Sequence, residues 1–218
     1  MSRFFPVQES IEYGIKTAWK YLKHIFFIDL TFLLVTLLAF IVTVAGVLAA
    51  IGVSFFLPTI GIATGAIMVI TLILFLYGLS LGYFRFILNA HDDGNTQVSI
   101  LFSELSKSHL LLMYVITMAI MVACGFLLLI VPGLILLARF MYVPFILIDT
   151  DKGLIQSYKE SWNLTKGNTL NAVLLLLLLV ALSYLGGLLI IGAFFTYPAS
   201  LLALAYSYRK LTATTEQQ

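Results

Sequence analysis

Residues 149–168 read DTDKGLIQSYKESWNLTKGN, three Lys, two Asp and one Glu set between two of the most apolar runs in the chain. Ahead lies GLILLARFMYVPFILI (133–148), and behind it TLNAVLLLLLLVALSYLGGLLIIG (169–192). The 218 residues are 61% hydrophobic and 10% charged, with a mean hydropathy of +1.08. Soluble domains are about half apolar and about a quarter charged. One small core cannot bury this much apolar surface, so lipid is the solvent for most of the chain.

Crossing a hydrocarbon layer takes about 20 mostly apolar residues in a helix. Six such runs are read at 25–54, 60–89, 110–130, 133–148, 170–190 and 193–208. Backbone amides in lipid must be satisfied within the segment, so each is expected to be a helix. Of the twelve Lys and Arg, eleven lie before the first run, between the second and third, between the fourth and fifth, after the sixth, or near the end of the second. The connections GVSFFLPTIG, LLLIVPGLI and LIIGAFFTYPAS carry no charge. The positive-inside rule then puts both termini and every charged segment on the cytoplasmic side.

The charged segments also resemble one another. FILNAHDDGNTQVSILFSELSKSH (86–109) lies over FILIDTDKGLIQSYKESWNLTKGN (145–168) without a gap. A looser third copy places Lys16, Trp19 and Lys23 on Lys159, Trp162 and Lys166. Each copy precedes a hairpin whose outer turn is expected to hold Pro58, Pro132 or Pro198, and repeats at such a period set the whole plan. The fold expected is therefore all-α. It is a polytopic membrane protein with six transmembrane helices as three hairpins, each preceded by a cytoplasmic amphipathic interfacial helix. One domain spans 1–218, with units at about 8–84, 85–143 and 144–210 and a flexible cytoplasmic tail at 211–218.

Apolar stripes support the interfacial helices: Ile11, Ile15, Ala18, Trp19 and Leu22 in the first, and Leu154, Ile155, Tyr158, Trp162 and Thr165 in the third. In the second they are Val98, Leu101, Phe102 and Leu105. Trp at headgroup depth with Lys reaching outward suits a helix lying in the membrane plane. The plainest role for these elbows is to position the spans; lipid binding is the functional alternative.

The segment IVPGLILLARFMYVPFILIDTDKGLIQSYKESWNLTKGN resembles the YciC-type bacterial inner-membrane proteins. The resemblance rests on V-P-G, an Arg six residues on, a Pro before D-x-x-x-G, and a Ser-Trp-x-Leu-Thr-Lys-Gly element. That family is similar to the membrane domain of glycerophosphodiester phosphodiesterases. The resemblance implies a six-helix fold in the bacterial plasma membrane without a catalytic residue to carry over.

Three ionisable groups fall inside apolar runs: Asp29, Arg85 and Arg139. Similar depth suggests an Asp29–Arg85 pair, because an unpaired charge in lipid is costly. Arg139 is expected deeper, about 15 Å from Asp149 along one continuous helix. Arg139, Arg85, Asp29, Trp19, Trp162 and Lys159 are the candidate contacts for lipid or substrate. Gly61 and Gly65, like Gly78 and Gly82, have the spacing that brings helices close, here within the chain. HDDG (91–94) lacks the helical His spacing of a metal site and reads as a hydrated turn.

No cofactor or metal is expected, and no basic cluster suits nucleic acid. Lone Cys124 permits no internal disulfide. The polar N-terminal segment does not read as a cleavable signal. No nucleophile–base pair is apparent, so a non-catalytic scaffold, lipid-interacting or accessory factor is expected, with membrane lipids as partners. A membrane-protein partner or a homo-oligomer is left open. The alternative is a small transporter or channel with a pathway near Arg139.

Overall fold

The computed structural model describes residues 5–216 except 93–96, 129, 151 and 189. Arg3, Asp151 and residues 93–94 of the HDDG turn lie outside them. The described residues form helices and connecting turns, with no strand. In order they are α1 (Val7–Lys20), α2 (Leu22–Ser54), α3 (Pro58–Asp92), two 3₁₀ turns (Val98–Phe102 and Leu105–Lys107), α4 (Ser108–Leu128) and α5 (Ile130–Phe140). Then come α6 (Val143–Asp149), α7 (Leu154–Thr165), α8 (Thr169–Gly187) and α9 (Ile190–Glu216).

Five stretches among the described residues are long and apolar enough to cross a membrane: Leu22–Ser54, Pro58–Asp92, Val98–Leu127, Ile130–Asp149 and Thr169–Gly187. The sixth expected run, 193–208, lies in α9 and is not among them. Thr196, Tyr197, Ser200, Tyr206 and Ser207 make it more polar. Pro198 lies inside α9, not in an outer turn, and α9 continues through the residues assigned to a flexible tail as far as Glu216. The second elbow is not an α-helix but the pair of 3₁₀ turns, where Ser103 Oγ donates to the Ile100 carbonyl at 2.8 Å. Such local side-chain bonds compete with the helical ladder.

Apolar side chains face outward along α2 and α3, and at their hairpin Phe55 is 82% and Phe56 87% exposed. Hydrocarbon tolerates that surface; it also gives helices no hydrophobic reason to associate, so close fit and polar contacts must hold them. The tight packing lies toward the charged end. There α6 is buried from Val143 through Ile148, and α9 buries Ala199, Leu202, Ala203, Ala205 and Tyr208.

Small residues make the approaches. α1 lays Ser10, Gly14 and Ala18 against the protein, and a β-carbon on Gly14 would overlap Ala199 and Ala203 of α9. The expected stripe of α1 divides between the two sides: Ala18 is fully buried, while Ile15 is exposed and Trp19 is 71% exposed. In α7 the buried face is Ser157, Ser161, Leu164 and Thr165, while Ile155 is 72% exposed. Both helices thus put small or short side chains inward, joined in α7 by Leu164, and leave Trp19, Ile155 and Trp162 exposed.

Ionic contacts close the same end. Arg209 of α9 bonds Asp92 of α3 through Nε at 3.0 Å and Asp149 of α6 through Nη1 at 2.6 Å and Nη2 at 2.9 Å. Tyr208 OH donates to Asp149 at 2.9 Å. Lys210 pairs with Glu9 of α1, and Tyr13 stacks on Tyr206 at 4.5 Å.

Gly82 gives the first test, because a β-carbon there would overlap the Leu101 carbonyl. Thermal unfolding in detergent should show Gly82→Ala destabilised by about 1–3 kcal/mol, the usual cost of overpacking. Gly65→Ala, whose β-carbon meets only Ala50 at 3.7 Å, should be neutral or stabilising on helix propensity.

The Glu9–Lys210 pair gives the second. Its hydrogen bond holds Glu9 below its ordinary 4.5 and Lys210 above its ordinary 10.5. A depressed carboxylate contributes stability above its unfolded pKa and loses it as pH falls through the folded value; a raised ammonium loses its share as pH rises through its own. The tie is therefore complete from about pH 4.5 to about pH 10.5. Trp19 fluorescence in a Trp162→Phe background should report release of α1 on acidification below that window. Glu9→Gln should abolish the transition; an unchanged acid transition in Glu9→Gln would refute the tie.

Candidate functional site

Arg139 stands near the end of α5, whose helix does not run on to Asp149. Pro144 at the start of α6 lacks an amide donor and disfavours helical backbone in the residue before it. The chain turns at Met141 and Tyr142 and restarts at Val143. The expected distance from Asp149 assumed one continuous helix, which this turn interrupts. Arg139 instead sits beside the start of α8, where Nη2 donates to Thr169 Oγ1 at 2.7 Å.

The α7 elbow covers it. Ser161 Oγ donates to the Arg139 carbonyl at 2.7 Å, satisfying a carbonyl that the end of α5 leaves without a helical partner. The next residue, Trp162, lies over the guanidinium, with Cζ 3.9 Å from the ring centre, a cation–π contact. Tyr158 fixes the other end of α7 by donating to the Tyr114 carbonyl at 3.2 Å and to Thr117 Oγ1 at 3.1 Å. Tyr114 in turn donates to the Phe140 carbonyl at 3.1 Å. An open depression of ≈ 420 Å³ beside them is lined by Phe140, Tyr158, Lys159, Trp162 and Asn163.

Arg139 Nε and Nη1 are buried and have no hydrogen-bond partner. An unmet buried donor costs about 1–3 kcal/mol, more when charged. Trp162 and Lys159 line the depression on α7, and Arg139 at the end of α5 lies against the Trp162 ring, which makes these three the candidates for an anionic group.

Asp29 and Arg85 do not pair. Arg85 bonds Glu104 through Nε at 3.0 Å and Nη2 at 2.9 Å, and Lys107 lies 3.5 Å from the same carboxylate. Asp29 accepts a bond from Tyr83 OH at 2.7 Å. Residues 83 and 85 lie about 200° apart around a helix. Depth matched the pair, but azimuth separates them. Trp19 stands apart from both, edge-on to Phe195 at 5.9 Å.

Sequence reasoning counted Arg209 only as a charge after the last span. The signal that points to it is the position of Asp92 and Asp149, one at the end of α3 and one at the end of α6, each needing a cation where the apolar run stops.

The family model described as a domain of unknown function (DUF7847) matches residues 97–215. That stretch holds Glu104, Arg139, Lys159, Trp162 and Arg209, and leaves out α1, α2 and α3. No curated protein and no solved structure matches the chain. With more than half its length matched, the chain belongs to the DUF7847 family.

Proposed function

We propose that this is a non-catalytic multi-pass membrane protein that holds anionic lipid headgroups at its α7 elbow, as a lipid-interacting scaffold or accessory factor. Arg139 carries the reading: two of its guanidinium nitrogens are buried without an acceptor. Trp162 lies over the guanidinium plane. A phosphate oxygen from a lipid would supply the missing acceptor, with Trp162 swinging aside to admit it and Lys159 at the rim. Outward Ile155 and Trp162 suit the boundary between headgroups and acyl chains.

The same reading puts the charged end of the bundle in the cytoplasm of a bacterial cell, in keeping with the lysines before α2 and between α6 and α8. It also counts α9 as a sixth crossing. The 19 residues from Ile190 to Tyr208 would rise about 28 Å, and Ser200 and Ser207 are buried against the protein instead of facing lipid. Kinship with YciC-type proteins belongs to this proposal and rests on the motifs alone.

Native mass spectrometry of protein in nanodiscs mixing phosphatidylglycerol with phosphatidylcholine tests the reading. The wild type should retain phosphatidylglycerol preferentially. Arg139→Gln should cut that preference about fivefold, the equivalent of ~1 kcal/mol for one basic group near an anionic surface. Arg139→Lys should recover only part, lacking the planar fork. A folded Arg139→Gln protein with unchanged preference would refute it.

A further inference from the structure

A second cavity lies elsewhere, between α2, α3 and α9. Near the charged end α2 and α9 meet, with Phe26 and Phe194 rings 6.4 Å apart. Beyond that contact they leave a half-enclosed space of ≈ 360 Å³, within the size range of small-molecule sites. Phe32, Leu33 and Phe194 give it apolar walls, and Asp29, Thr36 and Tyr83 put polar atoms into it. Its mouth faces the lipid side, where Leu33 is 50% and Tyr197 53% exposed.

The polar atoms are incompletely matched. Asp29 Oδ1 takes the Tyr83 hydroxyl, and among the described residues no cationic side chain forms an ion pair with Asp29. Thr36 Oγ1, about 10 Å farther along the helix by its rise, is buried without a partner. A carboxylate at this depth is costly unless paired. The chain supplies a hydroxyl donor but no countercharge, and leaves an apolar channel beside it.

We propose that this cavity binds an amphiphile with a primary ammonium head and an apolar chain. The ammonium pairs with Asp29, and the chain runs along Leu33 and Phe194 toward Thr36. Tyr83 holds the carboxylate in place as a positioning residue. The proposal is independent of the Arg139 reading, since α2 supplies the charge and the ligand has the opposite sign.

The test is photo-cross-linking of the protein in phosphatidylcholine nanodiscs with a dodecylamine carrying a diazirine in its tail. Saturable labelling of α2 and α9 peptides is expected. Asp29→Asn should lower it at least about tenfold, as should replacing the probe by the matched alcohol, each removing one charge-assisted contact. Leu33→Trp, at an exposed position, should block labelling by filling the mouth without disturbing the fold. Competition by phosphatidylethanolamine marks the amine as a lipid headgroup, and its failure alongside competition by free dodecylamine marks a free amphiphile. Equal labelling by amine and alcohol, or a folded Asp29→Asn protein that labels like the wild type, would overturn the proposal.

Discussion

The guanidinium of Arg209, shared between Asp92 and Asp149, joins α9 to the ends of α3 and α6 at a single point. It is part-buried, and so are both carboxylates, which strengthens the contact relative to one in open water. Much else hangs on the place it gives to α9. That helix receives Gly14 of α1 on its Ala199 and Ala203, takes Glu9 on Lys210, and supplies Phe194 and Tyr197 to the Asp29 cavity. A shift of α9 would disturb all three.

Lipid explains why such a point matters. In water, burial of apolar area would press the helices together; between hydrocarbon tails that force is absent, and association relies on fit and on polar contacts. The structure follows this division. Gly14, Gly82, Ala199 and Ala203 lie where backbones approach, and large apolar side chains point outward along much of α2 and α3. Hydroxyls tie elbow to span, as Ser161 does to Arg139 and Tyr158 to Tyr114. The charged end is where the most specific contacts gather, and it is also where Arg139 keeps two uncommitted donors.

Long apolar runs made α2, α3 and α8 legible in the sequence, since nothing but a helix could carry them through lipid. The elbows α1 and α7 were legible too, although their inward faces were not. A stripe on a helix lying in the membrane plane is read for its lipid side, and it does not single out the small residues, such as Gly14 and Ser161, that meet the protein. The break at Met141 and Tyr142 escaped because hydropathy runs straight through it, and only Pro144 marks it. Pro198 misled for the opposite reason: a proline suggests a turn, yet α9 passes through it. The Asp29–Arg85 pairing failed on azimuth, which depth arguments ignore. Arg209 was hidden because its partners lie 117 and 60 residues away in sequence. Arg139 was legible as a residue of interest, but its surroundings were not.

A double-mutant cycle between Arg209 and Asp149 tests the ionic junction most directly, read by unfolding in mild detergent. Arg209→Gln, Asp149→Asn and the combined variant should show a coupling of about 1 kcal/mol or more, as groups in one network do. Additivity within about 0.5 kcal/mol, the behaviour of independent sites, would contradict the claim that this junction fixes α9.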